Sequence, residues 1–532
     1  MARLLLDYYD GKSENEITGL DIDIIKYITQ CCGDYDQILA DDGRWQVFYH
    51  LSSMREAVLA WLDFEKRDTV LEINGGFGAI TGTLCRIFNR VDVTEAIPHR
   101  AEAIKKRYEK YDNLNIYQCN LEDFQCDSKY DYVIWIGGLE KCIDCEQMLG
   151  KVKSFLKEEG KLILAVENRL GIKYFCGYPD KYTGKPFSGI NNKYDKTNGR
   201  CFARSEIDNI IKNSGLIVDK VYYPMPDYVI PQVIMSDDYQ PAGLIKERVI
   251  NYYHTRNTLI ADEKVMIEEV VKGGALGFLN NSFIFICSEK KQDISIKGAI
   301  ISIDREKTRS YTTIIFDNKV IKNALTKEAQ IGIKDTYVNL LELRSRGLNT
   351  VDFILQNEKG IMPFMEFPSG MDYLRSIIDD ETRILRFFDE IYDDVKKSSD
   401  MTDKYSEVFN SYTSNLVLKK GYLDMVPMNM FIANGERVYF DQEFCIEGCP
   451  IEYIMFRTIR YSYLICPKIE NVISLEKVLV RYGLDGMWNS FMSIENSFVA
   501  NNRKHDIYKH LIAWSSIDEN EIDVNIKRLC GY

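Results

Sequence analysis

Short apolar runs alternate with amphipathic segments along the first half of the chain. The β-branched runs predict buried strands, and the segments with apolar residues at helical spacing predict helices between them. Alternation of this kind is typical of a parallel sheet covered by helices on both faces. The predicted strands are 69–73, 91–94, 115–118, 131–136, 161–166 and 217–222, with a last strand at 280–287, and the predicted helices are 79–88, 99–110, 145–157 and 204–213.

The flanking patterns divide the chain into three segments. Residues 1–67 carry apolar side chains mostly at helical spacing and predict a helical lead-in. A polar run at 288–295 separates two β segments, so we place a domain boundary there and predict an α/β domain over 68–288. The remaining segment, 296–532, predicts an α+β domain with strands at 299–303, 311–316, 319–322 and 360–367 and a helix at 326–346.

The first predicted strand runs directly into a glycine-rich turn that contains Gly76 and Gly78. Glycine lets the backbone approach a ligand closely, and the helix that follows presents free amide groups to it. Glu95 ends the next predicted strand, where an acid can accept both hydroxyls of a ribose. This order of elements predicts a nucleotide or cofactor cradle, with a dinucleotide-binding domain and a purely structural turn as the alternatives.

Polar residues also follow the other predicted strands. Right-handed crossovers bring the carboxyl ends of parallel strands to one edge, so we expect Asn120, Gly137 and Glu167 near the cradle. The long segment from Glu167 to Tyr194 predicts a lid or acceptor-binding loop, with a surface insertion as the alternative. His50, just before the first strand, either reaches the ligand or packs over the sheet. His50 and Glu167 are the candidate bases for a hydroxyl acceptor.

The second half contains a different set of spaced polar residues. Phosphoryl transfer needs a lysine on the nucleotide phosphates, an acid near the acceptor hydroxyl and oxygen ligands for Mg²⁺. Lys322 closes a predicted strand and has the type for the first role. Asp424 fits the second role, and Asn429 and Asp441 fit the metal-binding role.

The glycine turn resembles the first motif of class I S-adenosylmethionine-dependent methyltransferases, which reads acid-x-Gly-x-Gly-x-Gly. This chain has Glu72-x-Asn74-x-Gly76-x-Gly78, with asparagine in place of the first glycine. The resemblance implies a Rossmann-like domain that binds S-adenosylmethionine. It implies that Glu72, Asn74, Gly76, Gly78 and Gly137 shape the cofactor site, that Glu95 holds the ribose, and that Asn120 or Leu121 contacts the adenine.

The spacing from Asp424 to Asp441 resembles the kinase-like phosphotransferases, including the aminoglycoside phosphotransferase branch. That resemblance implies ATP and Mg²⁺ as cofactors and a helix glutamate, Glu328 or Glu342, as the partner of Lys322. The chain departs from the pattern because Asp-Gln-Glu replaces Asp-Phe-Gly at 441–443 and because 304–310 contains no glycine. A working kinase, a pseudokinase and an unrelated α+β module therefore remain alternatives.

Together the two halves resemble the methyltransferase–kinases that terminate bacterial O-antigen polysaccharide chains. The shared motifs are Tyr49–Ser52, Glu167–Tyr174 and Tyr223–Tyr228 in the first half and Asp424–Asn429 in the second. The resemblance implies a bifunctional enzyme that modifies a glycan or a sugar phosphate, with polysaccharide-synthesis glycosyltransferases as partners. Residues 451–532 lack the sustained heptads by which those chain terminators dock to a membrane-bound polymerase, so such recruitment is in doubt.

Composition narrows the partners further. The net charge of −13 and the lack of a long basic run argue against nucleic acid. No run of about 18 uncharged apolar residues predicts a transmembrane segment, and the short apolar run near the N-terminus does not predict a signal peptide. The 14 scattered cysteines then suggest reduced thiols and a cytoplasmic location.

Overall fold

The buried run Thr69–Ile73 is a central strand of a parallel sheet in a computed structural model of the chain. The structure describes residues 1–9, 11, 16–31, 33–195, 199–241, 248–253, 255–409, 416–504, 506–515 and 518–530. It divides into two compact units, Met1–Ile303 with His505–Tyr532, and Asp304–Lys504.

The first unit alternates strands and helices over most of its length. Its strands are β1 (Arg3–Leu5), β2 (Thr69–Ile73), β3 (Arg90–Glu95), β4 (Leu114–Gln118), β5 (Tyr130–Ile136), β6 (Leu156–Glu167), β7 (Ile217–Met225), β8 (Val233–Met235), β9 (Ser282–Ser288) and β10 (Ile296–Ile301). Its helices are α1 (Gly19–Cys31), α2 (Asp36–Asp41), α3 (Trp45–Leu51), α4 (Ala57–Ala60), α5 (Thr81–Ile87), α6 (Pro98–Arg107), α7 (Cys145–Ser154), α8 (Ile172–Phe175), α9 (Arg204–Asn213), α10 (Glu263–Lys272), α11 (Leu276–Leu279), α18 (Lys509–Ser515) and α19 (Glu519–Cys530).

The sheet of the first unit has the order β1–β4–β3–β2–β5–β6–β9–β7–β8–β10. Neighbouring strands from β1 to β6 are parallel, so the carboxyl ends of β2, β3, β4, β5 and β6 lie at one edge. Ligand sites of doubly wound sheets form at this edge. Core side chains such as Leu71, Val133 and Leu164 are fully buried because helices cover both faces.

The predicted strands and helices of this unit are all present, within a few residues at their ends. The sheet differs from the expected parallel sheet because β9 runs antiparallel between β6 and β7. The lead-in is also not purely helical, since Arg3–Leu5 pairs with β4. Three residues carry too little periodicity to predict a strand, and this pairing depends on a distant partner.

The second unit is built from antiparallel strands and longer helices. Its strands are β11 (Tyr311–Phe316), β12 (Lys319–Ala324), β13 (Ile354–Gln356), β14 (Lys359–Pro363), β15 (Met401–Thr402), β16 (Val417–Tyr422), β17 (Met430–Ala433), β18 (Glu436–Tyr439) and β19 (Cys445–Pro450). Its helices are α12 (Ala329–Ser345), α13 (Gly370–Ser376), α14 (Glu381–Lys397), α15 (Ile451–Ile465), α16 (Leu475–Arg481) and α17 (Trp488–Asn502). Strands β11, β12, β14 and β13 pair in that order, β16 pairs with β15 and β19, and β17 and β18 form a hairpin.

The two units divide the chain differently from the predicted domains 68–288 and 296–532. Strand β10 belongs to the first unit because Ala299 and Ile300 pair with Ile234 and Val233 of β8. Residues 505–532 also group with the first unit. Within the described ranges, no helix is both long enough and apolar enough to cross a membrane.

Asp92 offers a test of the buried packing of the parallel sheet. Its side chain is fully buried and accepts hydrogen bonds from the Tyr130 hydroxyl (2.7 Å) and the Asn115 amide (2.8 Å), and Arg90 lies 2.7 Å away. We expect Asp92→Ala to lower the free energy of unfolding by about 2 kcal/mol or more, because it removes the acceptor of the buried Tyr130 hydroxyl and of the Asn115 amide. Urea denaturation followed by circular dichroism measures this, and Asp63→Ala at an exposed site should change it by about 0.5 kcal/mol at most. Equal effects of the two substitutions would contradict the expectation.

Candidate functional site

The turn after β2 is held in a left-handed backbone conformation. Asn74 has φ +59°, Gly76 has φ +60° and Gly78 has φ +77°. Side chains disfavour this region, but asparagine tolerates it better than most residues. Asn74 can therefore replace the glycine of the motif without disturbing the turn.

The glycines of this turn have different surroundings. A Cβ atom on Gly75 would lie 2.5 Å from Val93 Cγ1, and one on Gly78 would lie 2.8 Å from Tyr108 Cε2. A Cβ atom on Gly76 would meet nothing within 4 Å. Gly75 and Gly78 therefore pack against the protein, whereas Gly76 faces open space that a ligand can enter.

Glu95, at the end of β3, is bonded to this turn. Its Oε2 accepts a hydrogen bond from the Gly76 amide (2.7 Å), and its Oε1 accepts one from the Ile97 amide (2.9 Å). Burial raises the pKa of Glu95, although the two amides favour its ionised form. The carboxylate predicted to hold a ribose thus lies directly beside the turn and fixes its position.

Glu72 links β2 to the helix that follows the turn. Its buried carboxyl accepts a hydrogen bond of 2.6 Å from the hydroxyl of Thr81, the first residue of α5. Burial raises the pKa of Glu72 to about 8. Glu72 therefore holds the start of α5 from within the core and does not face the open space at Gly76.

The ends of β4 and β5 supply the other predicted cofactor residues. Asn120 is exposed after β4, whereas Leu121 is buried in the core, so Asn120 is the one available to a ligand. After β5, Gly137 and Gly138 have φ +76° and +103°. The Asn74 amide nitrogen lies 3.0 Å from the position of a Cβ atom on Gly138, so the structure brings these two strand ends together.

His50 packs against the turn. Its ring lies 4.9 Å from the ring of Phe77, edge to face. Burial, reinforced by nearby arginines including Arg100 and Arg107, lowers the pKa of His50 to about 3. Arg107 also donates hydrogen bonds to the carbonyls of His50 (3.0 Å) and Phe77 (2.9 Å). The imidazole is therefore neutral and a weak proton acceptor.

Glu167, the other candidate base, belongs to a buried polar cluster at the end of β6. It forms an ion pair with Lys173 and accepts a hydrogen bond of 3.0 Å from the Tyr174 hydroxyl. Lys173 also lies 3.7 Å from Asp227. Burial alone would lower the pKa of Lys173, but Glu167 and Asp227 outweigh it and raise the pKa. Glu167 is thus a charged partner of Lys173.

Sequence reasoning assigned no role to several residues at this edge. Glu140 accepts hydrogen bonds from the amides of Gly138 (2.8 Å) and Glu167 (3.0 Å), which joins the ends of β5 and β6. The Tyr228 hydroxyl lies 3.1 Å from Lys181 Nζ and 2.7 Å from the position of a Cβ atom on Gly137. Lys173 and Tyr228 lie inside the motifs Glu167–Tyr174 and Tyr223–Tyr228, which was the available signal for them.

In the second unit, Lys322 meets two acids from a distant part of the chain. Its ammonium lies 2.5 Å from Asp441 Oδ1 and forms a second ion pair with Glu443. Glu443 is also 3.0 Å from Arg305. Burial alone would lower the pKa of Lys322, but the two carboxylates outweigh burial and raise the pKa.

The expected helix glutamates have other positions. Glu342 forms an ion pair of 2.5 Å with Lys420 and accepts a hydrogen bond from the Tyr422 hydroxyl. Glu328 is exposed just before α12. The expectation that one of them pairs with Lys322 is not met, because Glu443 takes that position.

Asp424 and Asn429 lie near the same end of the second unit. The Asp424 carboxylate accepts hydrogen bonds from the amides of Glu443 (3.0 Å) and Phe444 (2.9 Å), and burial raises its pKa to about 6 against the opposing effect of Arg457. The Asn429 carbonyl accepts a hydrogen bond from the Phe440 amide. Among the described residues, no group of three or more His, Cys, Asp or Glu side chains is placed to hold a metal ion.

Comparisons with known proteins add a limited finding. No protein-family model matches the chain, and no curated protein matches it. Among solved structures, a S-adenosylmethionine-dependent methyltransferase from Thermotoga maritima is 16% identical, over 48% of this chain and 98% of its own, with a TM-score of 0.29. Mitomycin 7-O-methyltransferase is 15% identical over 38% and 62%, with a TM-score of 0.27. An N-methyltransferase from Bradyrhizobium japonicum, solved with S-adenosylhomocysteine, is 16% identical over 27% and 74%, with a TM-score of 0.21.

The raised pKa of Glu72 makes thermal stability depend on pH. The pKa is 4.5 in the unfolded reference and about 8 in the folded chain, so the folded state binds the extra proton between these values. The stabilisation linked to this proton is fully present below pH 4.5. It is lost as the pH rises from there through about 8, because unfolding then releases the proton. We therefore expect wild type to lose melting temperature relative to Glu72→Gln between pH 5 and 8.

Differential scanning fluorimetry across this range measures the effect. Glutamine keeps an oxygen that can accept the Thr81 hydrogen bond, and Glu65→Gln at an exposed site is the matched control. Parallel melting curves for wild type and Glu72→Gln would contradict the raised pKa.

Proposed function

We propose that the first unit is a S-adenosylmethionine-dependent methyltransferase. The observation that carries this proposal is the left-handed turn at Asn74–Gly78, whose open Gly76 is bonded through its amide to an acid at the next strand end. When bound, S-adenosylmethionine supplies an electrophilic sulfonium methyl group. The chain supplies a cradle that places this group at the carboxyl edge of the sheet.

The residues at this edge fit the parts of that cofactor. The lack of a side chain at Gly76 lets an extended ligand approach the backbone, whereas Gly137 packs against the Tyr228 hydroxyl. Following the resemblance, we assign the ribose to Glu95, at the end of β3, and the adenine to the exposed Asn120, after β4. The remaining amino-acid part then extends over the ends of β2 and β5, the other neighbours in the sheet.

For the acceptor we propose a glycan that bears a sugar phosphate, with a sugar hydroxyl as the alternative. A hydroxyl usually needs a general base, whereas a phosphate oxygen is already anionic. His50, with a pKa of about 3, is a weak base, and the Glu167 carboxylate is already engaged by Lys173 and the Tyr174 hydroxyl. The glycan class and glycosyltransferase partners follow from the resemblance to chain-terminating enzymes and are proposed on that basis alone.

Substituting Gly76 tests the cofactor cradle. A Cβ atom there meets no protein atom but enters the space assigned to the cofactor. We expect Gly76→Ala to weaken S-adenosylhomocysteine binding at least about tenfold in isothermal titration calorimetry, a loss of about 1.4 kcal/mol.

Gly274→Ala is the matched control for this substitution. Gly274 has φ +68° and equally open surroundings, so it carries the same backbone strain away from the turn. We expect Gly274→Ala to bind S-adenosylhomocysteine with the same affinity as wild type. Wild type that fails to bind S-adenosylhomocysteine would refute the proposed function itself.

For the second unit we propose a kinase-like phosphotransferase that uses ATP and Mg²⁺. The supporting observation is the meeting of Lys322 with Asp441, two residues far apart in sequence that have the types for phosphate and metal binding. The alternative is a non-catalytic kinase-like unit that binds a glycan or a partner protein. The ion pair of Lys322 with Glu443 favours this alternative, because the glutamate occupies the lysine assigned to the nucleotide phosphates.

Two substitutions separate these readings. Asp441→Ala should abolish Mg²⁺-dependent ATP binding, measured by thermal shift, because it removes the proposed metal ligand. Asp424→Asn should leave ATP binding intact but abolish phosphorylation of the acceptor, measured by mass spectrometry, if the unit is catalytic. Asp379→Ala at an exposed position is the control for both. Unchanged acceptor phosphorylation in Asp424→Asn would contradict the catalytic reading.

A further inference from the structure

We propose that the Asn74 carboxamide binds the carboxylate at the amino-acid end of the cofactor, and that the Trp135 indole fixes its orientation. This inference rests on the proposed methyltransferase function of the first unit. It gives the asparagine in the glycine motif a binding role beyond its tolerance of a left-handed backbone.

The first observation is a buried donor that has no acceptor. Trp135, near the end of β5, is fully buried, and its Nε1 has no hydrogen-bond partner among the described residues. A buried N–H group without a partner is unfavourable, so such groups are rare. Trp135 Nε1 lies 3.4 Å from the position of a Cβ atom on Gly138.

The second observation is that the Asn74 amide converges on the same place. Its Nδ2 lies 3.0 Å from that same position on Gly138. Because Gly138 has no side chain, the exposed Asn74 and the buried indole both approach the space that a Cβ atom there would occupy. The two side chains therefore converge beside Gly138, at the junction of the β2 and β5 strand ends and inside the proposed cradle.

The chemistry of the amide then selects the ligand group. The oxygen and nitrogen of an asparagine amide exchange places by a rotation of about 180° about χ2. With its oxygen toward Trp135, the amide accepts the indole N–H and turns its NH₂ group toward the open side of the turn. An NH₂ group is only a donor, so it pairs with a carboxylate and not with an ammonium group.

The sheet order places the amino-acid end of the cofactor at this point. The sequence β4–β3–β2–β5 puts Asn120 and Glu95 on one side of β2 and Gly138 on the other. With the adenine at Asn120 and the ribose at Glu95, the cofactor reaches Asn74 and Gly138 with its amino-acid part. Glycine would suit φ +59° at position 74 better than asparagine, so the side chain has a use that offsets this disadvantage.

A matched pair of ligands tests this assignment. S-adenosylmethionine and decarboxylated S-adenosylmethionine differ only in the carboxylate, and calorimetric titration of each gives both affinities. We expect Asn74→Gly, which keeps the left-handed backbone, to weaken binding of S-adenosylmethionine about tenfold and to leave the decarboxylated ligand unaffected. We expect Asn74→Asp, which places a carboxylate against the ligand carboxylate, to weaken S-adenosylmethionine more than Asn74→Gly does.

Trp135→Phe tests the positioning role. It removes the N–H group and keeps most of the ring, so S-adenosylmethionine should bind several-fold more weakly while the decarboxylated ligand binds as in wild type. Equal affinities of Asn74→Gly and wild type for S-adenosylmethionine would overturn the inference, and so would equal losses for both ligands. Wild type that binds neither ligand would instead refute the proposed function.

Discussion

The hydrogen bond from the Gly76 amide to the Glu95 carboxylate holds the candidate cofactor site together. It joins the turn after β2 to the end of β3 within the buried edge of a parallel sheet. A second bond, from Thr81 to Glu72, fixes the start of the helix that follows. Burial raises the pKa of both carboxyl groups, and the hydrogen bonds that they accept from these neutral donors oppose that effect. Bonds within the protein thus hold the turn in place, which lowers the ordering cost of binding.

The strands and helices of the first unit were predictable because their patterns are local. Buried parallel strands such as Thr69–Ile73 are continuous β-branched runs, and the glycines mark the turn after β2. The antiparallel insertion of β9 was not predictable, since strand direction depends on how the chain returns to the sheet. The same limit applies to Arg3–Leu5 and to the grouping of residues 505–532 with the first unit, both of which depend on partners distant in sequence.

For the candidate site residues, too, the sequence predicts the position along a strand but not the side chains that the fold brings next to it. The strand ends predicted that Asn120, Gly137 and Glu167 would lie at the edge that carries the glycine turn, and the parallel pairing of β2 to β6 puts the ends of their strands there. The pairing of side chains could not be predicted, because Lys173 neutralises Glu167 only through the fold of the loop between them. The pKa of His50 likewise depends on arginines that burial brings close to the ring. The sequence gives the type of each ionisable group, whereas the burial and neighbouring charges that shift its pKa depend on the folded structure.

Lys322, the buried lysine of the second unit, pairs with acids other than the helix glutamates that the sequence suggested. A buried ammonium needs a carboxylate, because an unpaired buried charge is strongly unfavourable. Lys322 has two, Asp441 and Glu443, and Arg305 shares the second. If the second unit is the proposed phosphotransferase, a nucleotide phosphate competes with Glu443 for the lysine, and a metal ion competes with the lysine for Asp441. In the proposed phosphotransferase, the free energy of separating these ion pairs would therefore oppose nucleotide binding.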